Sequence, residues 1–163
     1  MPPTRVNLTL RVTLYKVSKG GMEQVSRRRR RVWNCDFYKC SDGSLPVKEF
    51  LKKQGAKVKD SVATQLDMLV MCDHRLGDLT HGRATKRIVG GGGLWELIAC
   101  IEEEHQHEEI VCKRVCSVLY FPFRGKYVPV HALCREQTGD VPEDDLEKGR
   151  KRMDDYRSRY VDE

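Results

Sequence analysis

The stretch KRIVGGGGLWEL, Lys86 to Leu97, decides how the chain is read. A basic, β-branched run meets four consecutive glycines and then a leucine, a tryptophan, an acid and another leucine. Glycine supplies positive φ and close backbone approach, but it weakens any regular element it interrupts. A phosphate-cradling loop would need Gly-Lys-Ser/Thr and a helix after the glycines, and neither follows. The run therefore reads as a connector between two strands.

Working outward, ATKRIV (Ala84–Val89), LWELIAC (Leu94–Cys100), CSVLYFPF (Cys116–Phe123) and KYVPVHALC (Lys126–Cys134) are all rich in β-formers. Gly125-Lys126 marks a tight turn between the last two. The segment IEEEHQHEEIVCKR (Ile101–Arg114) is unusually polar for a sheet connection. Upstream, VWNCDFY (Val32–Tyr38) reads as a first strand, followed by a turn at Ser41-Asp42-Gly43. Pro46 suits a first helical turn, with Val47, Phe50 and Leu51 at helical spacing and Gly55 ending the helix. Val58, Val62, Leu66, Leu69 and Val70 mark a second amphipathic helix closing near Gly77. Pro142 opens a terminal helix whose first turn carries Glu143, Asp144 and Asp145, where the helix dipole favours acids. Leu146, Gly149, Met153, Tyr156 and Tyr160 line one of its faces, with Gly149 allowing close approach. The order β-α-α-β-β-β-α predicts an α+β domain: a small, mostly antiparallel sheet with a helical hairpin packed on it and a C-terminal helix.

A length of 163 residues suits one such domain, and a hydrophobic fraction of 39% with mean hydropathy -0.59 describes a polar-surfaced chain. No run approaches the ~18 apolar residues of a membrane span. The N-terminus lacks the compact apolar core and cleavage site of a secretory signal, so a cytoplasmic protein is expected, with no membrane partner. The net charge is +6, and Ser26–Arg31 (SRRRRR) supplies five positive charges. Residues 1–31 read as a basic, flexible extension and residues 32–163 as the domain, with Met22 an alternative start. Seven cysteines, an odd number without scaffold rhythm, argue for reduced thiols. His105, His107, Cys112 and Cys116 fall close together, but their spacing is not that of a zinc site. No metal and no cofactor is expected.

Five words in this order resemble the RelE/HigB-type toxins of bacterial toxin–antitoxin modules, especially the phage-derived HigB-like branch. They are FYKCSDGSLPVKEFL (Phe37–Leu51), KRIVGGGGLWEL (Lys86–Leu97), VLYF (Val118–Phe121), VHAL (Val130–Leu133) and VPEDDLEKGRKRMDDY (Val141–Tyr156). The resemblance covers about Val32 to Tyr160. It implies growth inhibition by metal-independent, ribosome-associated cleavage of messenger RNA, and neutralisation by a small helix-turn-helix antitoxin. In such cleavage an RNA 2′-hydroxyl attacks the adjacent phosphate while the protein orients it, stabilises charge and protonates the leaving oxygen. Arginine and lysine suit the phosphate clamp because they stay charged and bind its oxygens.

The departures fall on that clamp. The arginine of the family's Glu-Leu-Arg word is Ile98 here, and its Tyr-Arg word falls on Cys116-Ser117. The Lys-Lys after the histidine word becomes Arg135-Glu136, and residues 98–114 are longer and more acidic than their counterpart. The catalytic residues that the resemblance then leaves are Lys86, Arg87, Arg114, Tyr120, His131 and Arg135; RNA would bind Lys86, Arg87, Arg124, Lys126 and Arg135. An impaired enzyme is expected. The alternative is a decayed member of this fold that survives as a partner-binding module or acts on DNA gyrase; a third reading is a nucleic-acid-binding protein dominated by its arginine run.

Overall fold

The computed structural model describes residues 11–18, 21–28, 33–71, 85–136 and 139–161. β1 (Arg11–Ser18) and β2 (Gly21–Arg28), within the segment read as an extension, pair antiparallel as a two-stranded sheet of their own. The domain proper begins with β3 (Asn34–Cys35), then α1 (Pro46–Lys52) and α2 (Ala56–Leu69). β4 (Thr85–Arg87), β5 (Trp95–Gln106), β6 (Glu109–Phe123), β7 (Lys126–Arg135) and α3 (Glu143–Ser158) follow. The five-stranded sheet has the order β3-β7-β6-β5-β4, antiparallel except where β3 runs parallel to β7. The class is α+β as expected, and all four β-rich runs between α2 and α3 form strands, one more than the order β-α-α-β-β-β-α counts.

Local chemistry explains most of the boundaries. Pro46 opens α1, where its missing N–H costs nothing. Gly55 caps the start of α2 rather than ending α1 alone, and Gly77 lies outside the described residues. The turn between β6 and β7 is Arg124-Gly125, both at positive φ, one residue earlier than expected. The connector Gly90–Gly93 has positive φ at Gly90, Gly92 and Gly93, and a side-chain carbon on Gly91 would lie 3.0 Å from Ile88 Cβ. Four glycines are thus needed to turn β4 back onto β5.

The polar segment read as a connection between strands is an arm of paired strand. β5 continues to Gln106 and β6 starts at Glu109, joined through His107 and Glu108, both at positive φ. Strand pairing is satisfied by backbone bonds alone, so a polar sequence sustains it where a core is not required. The register slips between Ile98 and Cys100 and between Glu102 and Glu103.

Two cores sandwich the sheet. On one face Leu97, Cys116, Val118, Tyr120, Tyr127 and Ala132 pack with Val47 of α1 and Val58, Val62, Leu66 and Leu69 of α2. On the other, Leu94, Leu119, Phe121, Val128, Val130 and Leu133 pack with Leu146, Met153 and Tyr156 of α3. The helix-to-strand approach on this second face is close at Gly149, where a Cβ would meet Leu94 and Leu119 at 3.1 and 3.2 Å. Two reciprocal bonds anchor α3 to the segment after β3: Tyr38 OH donates to Asp155 at 2.7 Å and Tyr156 OH donates to Asp36 at 2.7 Å. Burial and then the Asp155 bond raise the Tyr38 pKa to about 12, burial and the Asp36 bond raise that of Tyr156, and the Tyr38 bond holds Asp155 below the usual carboxylate range. Both phenols therefore stay donors at neutral pH.

Gly149→Leu should destabilise the domain by about 1–3 kcal/mol through overpacking. Gly93→Ala, which forces a side chain into φ +116 against Arg157, should cost about 1–3 kcal/mol. Urea unfolding of both variants checks this, and midpoints unchanged from the parent would refute the packing described.

Candidate functional site

One extra residue in β7 sets which side chains face α3. Tyr120 pairs with Pro129 and Leu119 with His131, leaving Val130 as a bulge. Before the bulge Tyr127 faces the α1–α2 core and Val128 faces α3. Without the slip His131 would share the face of Tyr127; with it, His131, Leu133 and Arg135 all turn to the α3 side.

Arg135 closes that row as the last residue of β7. Its guanidinium bonds Glu96 at 2.6 Å, with side-chain exposures of 11% and 1%. Ser117 Oγ donates to Glu96 Oε1 at 2.8 Å, and Arg135 also donates to Ser117 Oγ at 3.3 Å and to the Gly139 carbonyl at 3.1 Å. Three strands thus contribute one side chain each to a buried, charge-neutral cluster. Ile98 is half-buried directly opposite Ser117, on the same face. Lys86 pairs across β4–β5 with Glu96 and reaches Asp140 at 3.7 Å, an exposed contact of little energetic weight.

His131 forms the second cluster of this face. Arg152 Nη1 donates to His131 Nδ1 at 2.9 Å and to the Val130 carbonyl at 2.9 Å. A guanidinium can only donate, so Nδ1 accepts, and Nε2–H donates to Asp145 at 2.7 Å. Burial first, and then the charges of Arg152 and Lys148, lower the His131 pKa below its ordinary 6.5 against the opposing pull of Asp145. The ring is a neutral bracket between β7 and α3.

The remaining expected residues are not gathered here. Tyr120 is fully buried in the α1–α2 core, edge-on to Tyr127, on the opposite side of the sheet from Arg135. Arg114 faces the α1–α2 side and donates to Gln54 at 2.8 Å, so it does not join Arg135 either. Arg87 is exposed opposite Trp95, on the face away from Lys86. Arg124 and Lys126 sit at the β6–β7 turn, about 30 Å of strand from Arg135 at ~3.3 Å per residue. Arg124 there stacks on Phe123 and bonds the Tyr160 carbonyl. The expected set therefore divides into Arg135, Lys86 and His131 on the α3 face and five residues elsewhere: Arg87, Arg114, Tyr120, Arg124 and Lys126. Glu96 and Ser117 were not anticipated as a pair, although an acid inside the apolar word LWEL was a signal.

The expectation of reduced thiols is corrected for one pair: Cys116 and Cys134 form a disulfide, because the bulge brings them directly opposite on β6 and β7. Among the described residues no group of three or more His, Cys, Asp or Glu side chains is placed to hold a metal ion, and no helix is long and apolar enough to cross a membrane. Compared with models of protein families, with curated proteins and with solved structures, the chain matches none.

Glu96→Ala leaves a buried guanidinium without its counter-charge and should cost about 3–5 kcal/mol. The double change Glu96→Leu with Arg135→Met should recover most of that loss in urea unfolding; a double variant as unstable as the single would show that the pair is not the cause. For His131, a folded pKa below 6.5 means that the unfolded chain binds the extra proton first, so stability is full above about pH 6.5 and falls as pH drops toward the folded pKa. His131→Gln should therefore lose less stability than the parent between pH 7.5 and 5.5, read as the shift in urea midpoint.

Proposed function

We propose that this chain is a toxin of the RelE/HigB type whose messenger RNA cleavage is impaired, and that it acts in the cytoplasm in complex with a small helix-turn-helix antitoxin. The five ordered words and the α+β architecture support the kinship. The observation that carries the impairment is the Glu96–Arg135 pair: the one cation that the resemblance keeps after the histidine word is already neutralised inside the fold. A phosphate reaching Arg135 must displace a carboxylate that is 1% exposed and also bonded by Ser117. The other two cations of the clamp are Ile98 and Ser117, and Lys86 alone is a poor substitute for a preorganised pair.

The same observation favours a second reading. A neutral, packed cluster where the clamp would lie suits a decayed member of the fold that works by binding a protein partner, an antitoxin or DNA gyrase, without touching RNA.

The test is expression in bacteria with growth and messenger RNA integrity followed over time. The unmodified chain should arrest growth weakly and leave messages intact. Ile98→Arg places a cation on the half-exposed position beside Ser117 and should raise cleavage by ~10²-fold, the usual worth of one transition-state donor. Ser117→Arg is not the variant to use, since Ser117 is 1% exposed and a second guanidinium there would collide with Arg135. Strong cleavage by the unmodified chain would overturn the impairment. Failure of any neighbouring small helix-turn-helix reading frame to co-purify would remove the toxin–antitoxin reading itself.

A further inference from the structure

The disulfide and the Arg135 cluster occupy the same two peptide units. Cys116 precedes Ser117 on β6 and Cys134 precedes Arg135 on β7, so the sulfurs lie on the α1–α2 side and the polar cluster on the α3 side of one strand pair. The two Cα atoms are 4.1 Å apart. We propose that Cys116–Cys134 is a reversible thiol–disulfide site that sets how tightly Arg135 is held by Ser117 and Glu96. The inference rests on this geometry and not on the toxin reading.

Two further observations carry it. Arg135 is the last residue of β7, and β3 pairs with that strand only at Lys126 and Tyr127, so among the described residues the far end of β7 has β6 as its sole strand neighbour. A covalent tie at residue 134 therefore restrains the end from which Arg135 projects. The two cysteines also differ in exposure: Cys116 is 1% exposed, whereas Cys134 is half-buried. An incoming low-molecular-weight thiol meets the Cys134 sulfur first.

The chemistry balances with that thiol as reductant. Its thiolate attacks Cys134 Sγ, forming a mixed disulfide and breaking the bond to Cys116, which leaves as thiolate and takes up the proton the attacking thiol gave up. A second thiol attacks the first one's sulfur, releasing Cys134 as a thiol and leaving the oxidised small-molecule disulfide. Two small thiols have then been oxidised and one protein disulfide reduced. A low-molecular-weight disulfide drives the reverse.

The experiment equilibrates the full chain in mixtures of reduced and oxidised glutathione, quenches in acid, alkylates and maps the cysteines by mass. Cys116 and Cys134 should convert together. Amide exchange of the reduced chain should then rise at least tenfold over Ser117 and over residues 133–135, while the amides of Val62 and Leu66 in α2 stay as they were. The variant Cys116→Ser with Cys134→Ser should show the same fast exchange under oxidising conditions; should it not fold, the reduced parent chain gives the reading by itself. Absence of the disulfide from the oxidised chain would overturn the proposal, as would equal exchange at Ser117 and residues 133–135 in both redox forms.

Discussion

A single surplus residue in β7 governs the α3 side of this fold. Strands alternate strictly between two faces, so one inserted residue reverses the assignment of every side chain beyond it. Val130 is that residue. Ahead of it β7 follows the simple alternation that places Tyr127 with the helical hairpin; beyond it His131, Leu133 and Arg135 belong to the α3 side. The bracket to Asp145 and Arg152, the ion pair to Glu96 and the alignment of Cys134 with Cys116 all follow from the slip.

What the slip assembles is a cluster with internal charge balance. Desolvating a guanidinium is tolerable because Glu96 is desolvated with it and Ser117 and the Gly139 carbonyl occupy further hydrogen-bonding positions. Such a cluster fixes the relative positions of β5, β6 and β7. It does not present an open cation to a polyanion. The same face would become a phosphate clamp only if positive charge were added to it, and Ile98 is the half-exposed position from which that could be done.

The sequence was most informative where local chemistry acts alone. Pro46, the Gly90–Gly93 run, the acids behind Pro142 and the spacing of Leu146, Gly149, Met153 and Tyr156 each specify a boundary or a face without reference to distant residues. It was silent where two strands must be compared. Nothing in KYVPVHALC marks Val130 as surplus, and uninterrupted alternation would assign His131 to the wrong side. The arm of β5 and β6 was hidden for another reason: its turn uses His107 and Glu108 at positive φ instead of an Asn-Gly or Asp-Gly pair, and its polar composition imitates a loop. Glu96, Ser117 and Arg135 could be singled out one by one as misfits in apolar words, but their meeting depends on register. Tyr120 and Arg114 lie apart from Arg135 by the same parity rule, since both point to the opposite face.

The two reciprocal phenol–carboxylate bonds between α3 and the segment Asp36–Tyr38 give that helix a mode of detachment of its own. Tyr38 and Asp36 follow β3, whereas Asp155 and Tyr156 belong to α3, so each bond joins residues more than a hundred positions apart. At its other end α3 is held by His131 through Asp145 and Arg152. The core beneath it is separate from the core beneath α1 and α2, with only the sheet between. Release of α3 is therefore a sub-global opening: it must break both terminal attachments together, and it bares one whole side of the sheet while the helical hairpin and its half of the interior remain folded.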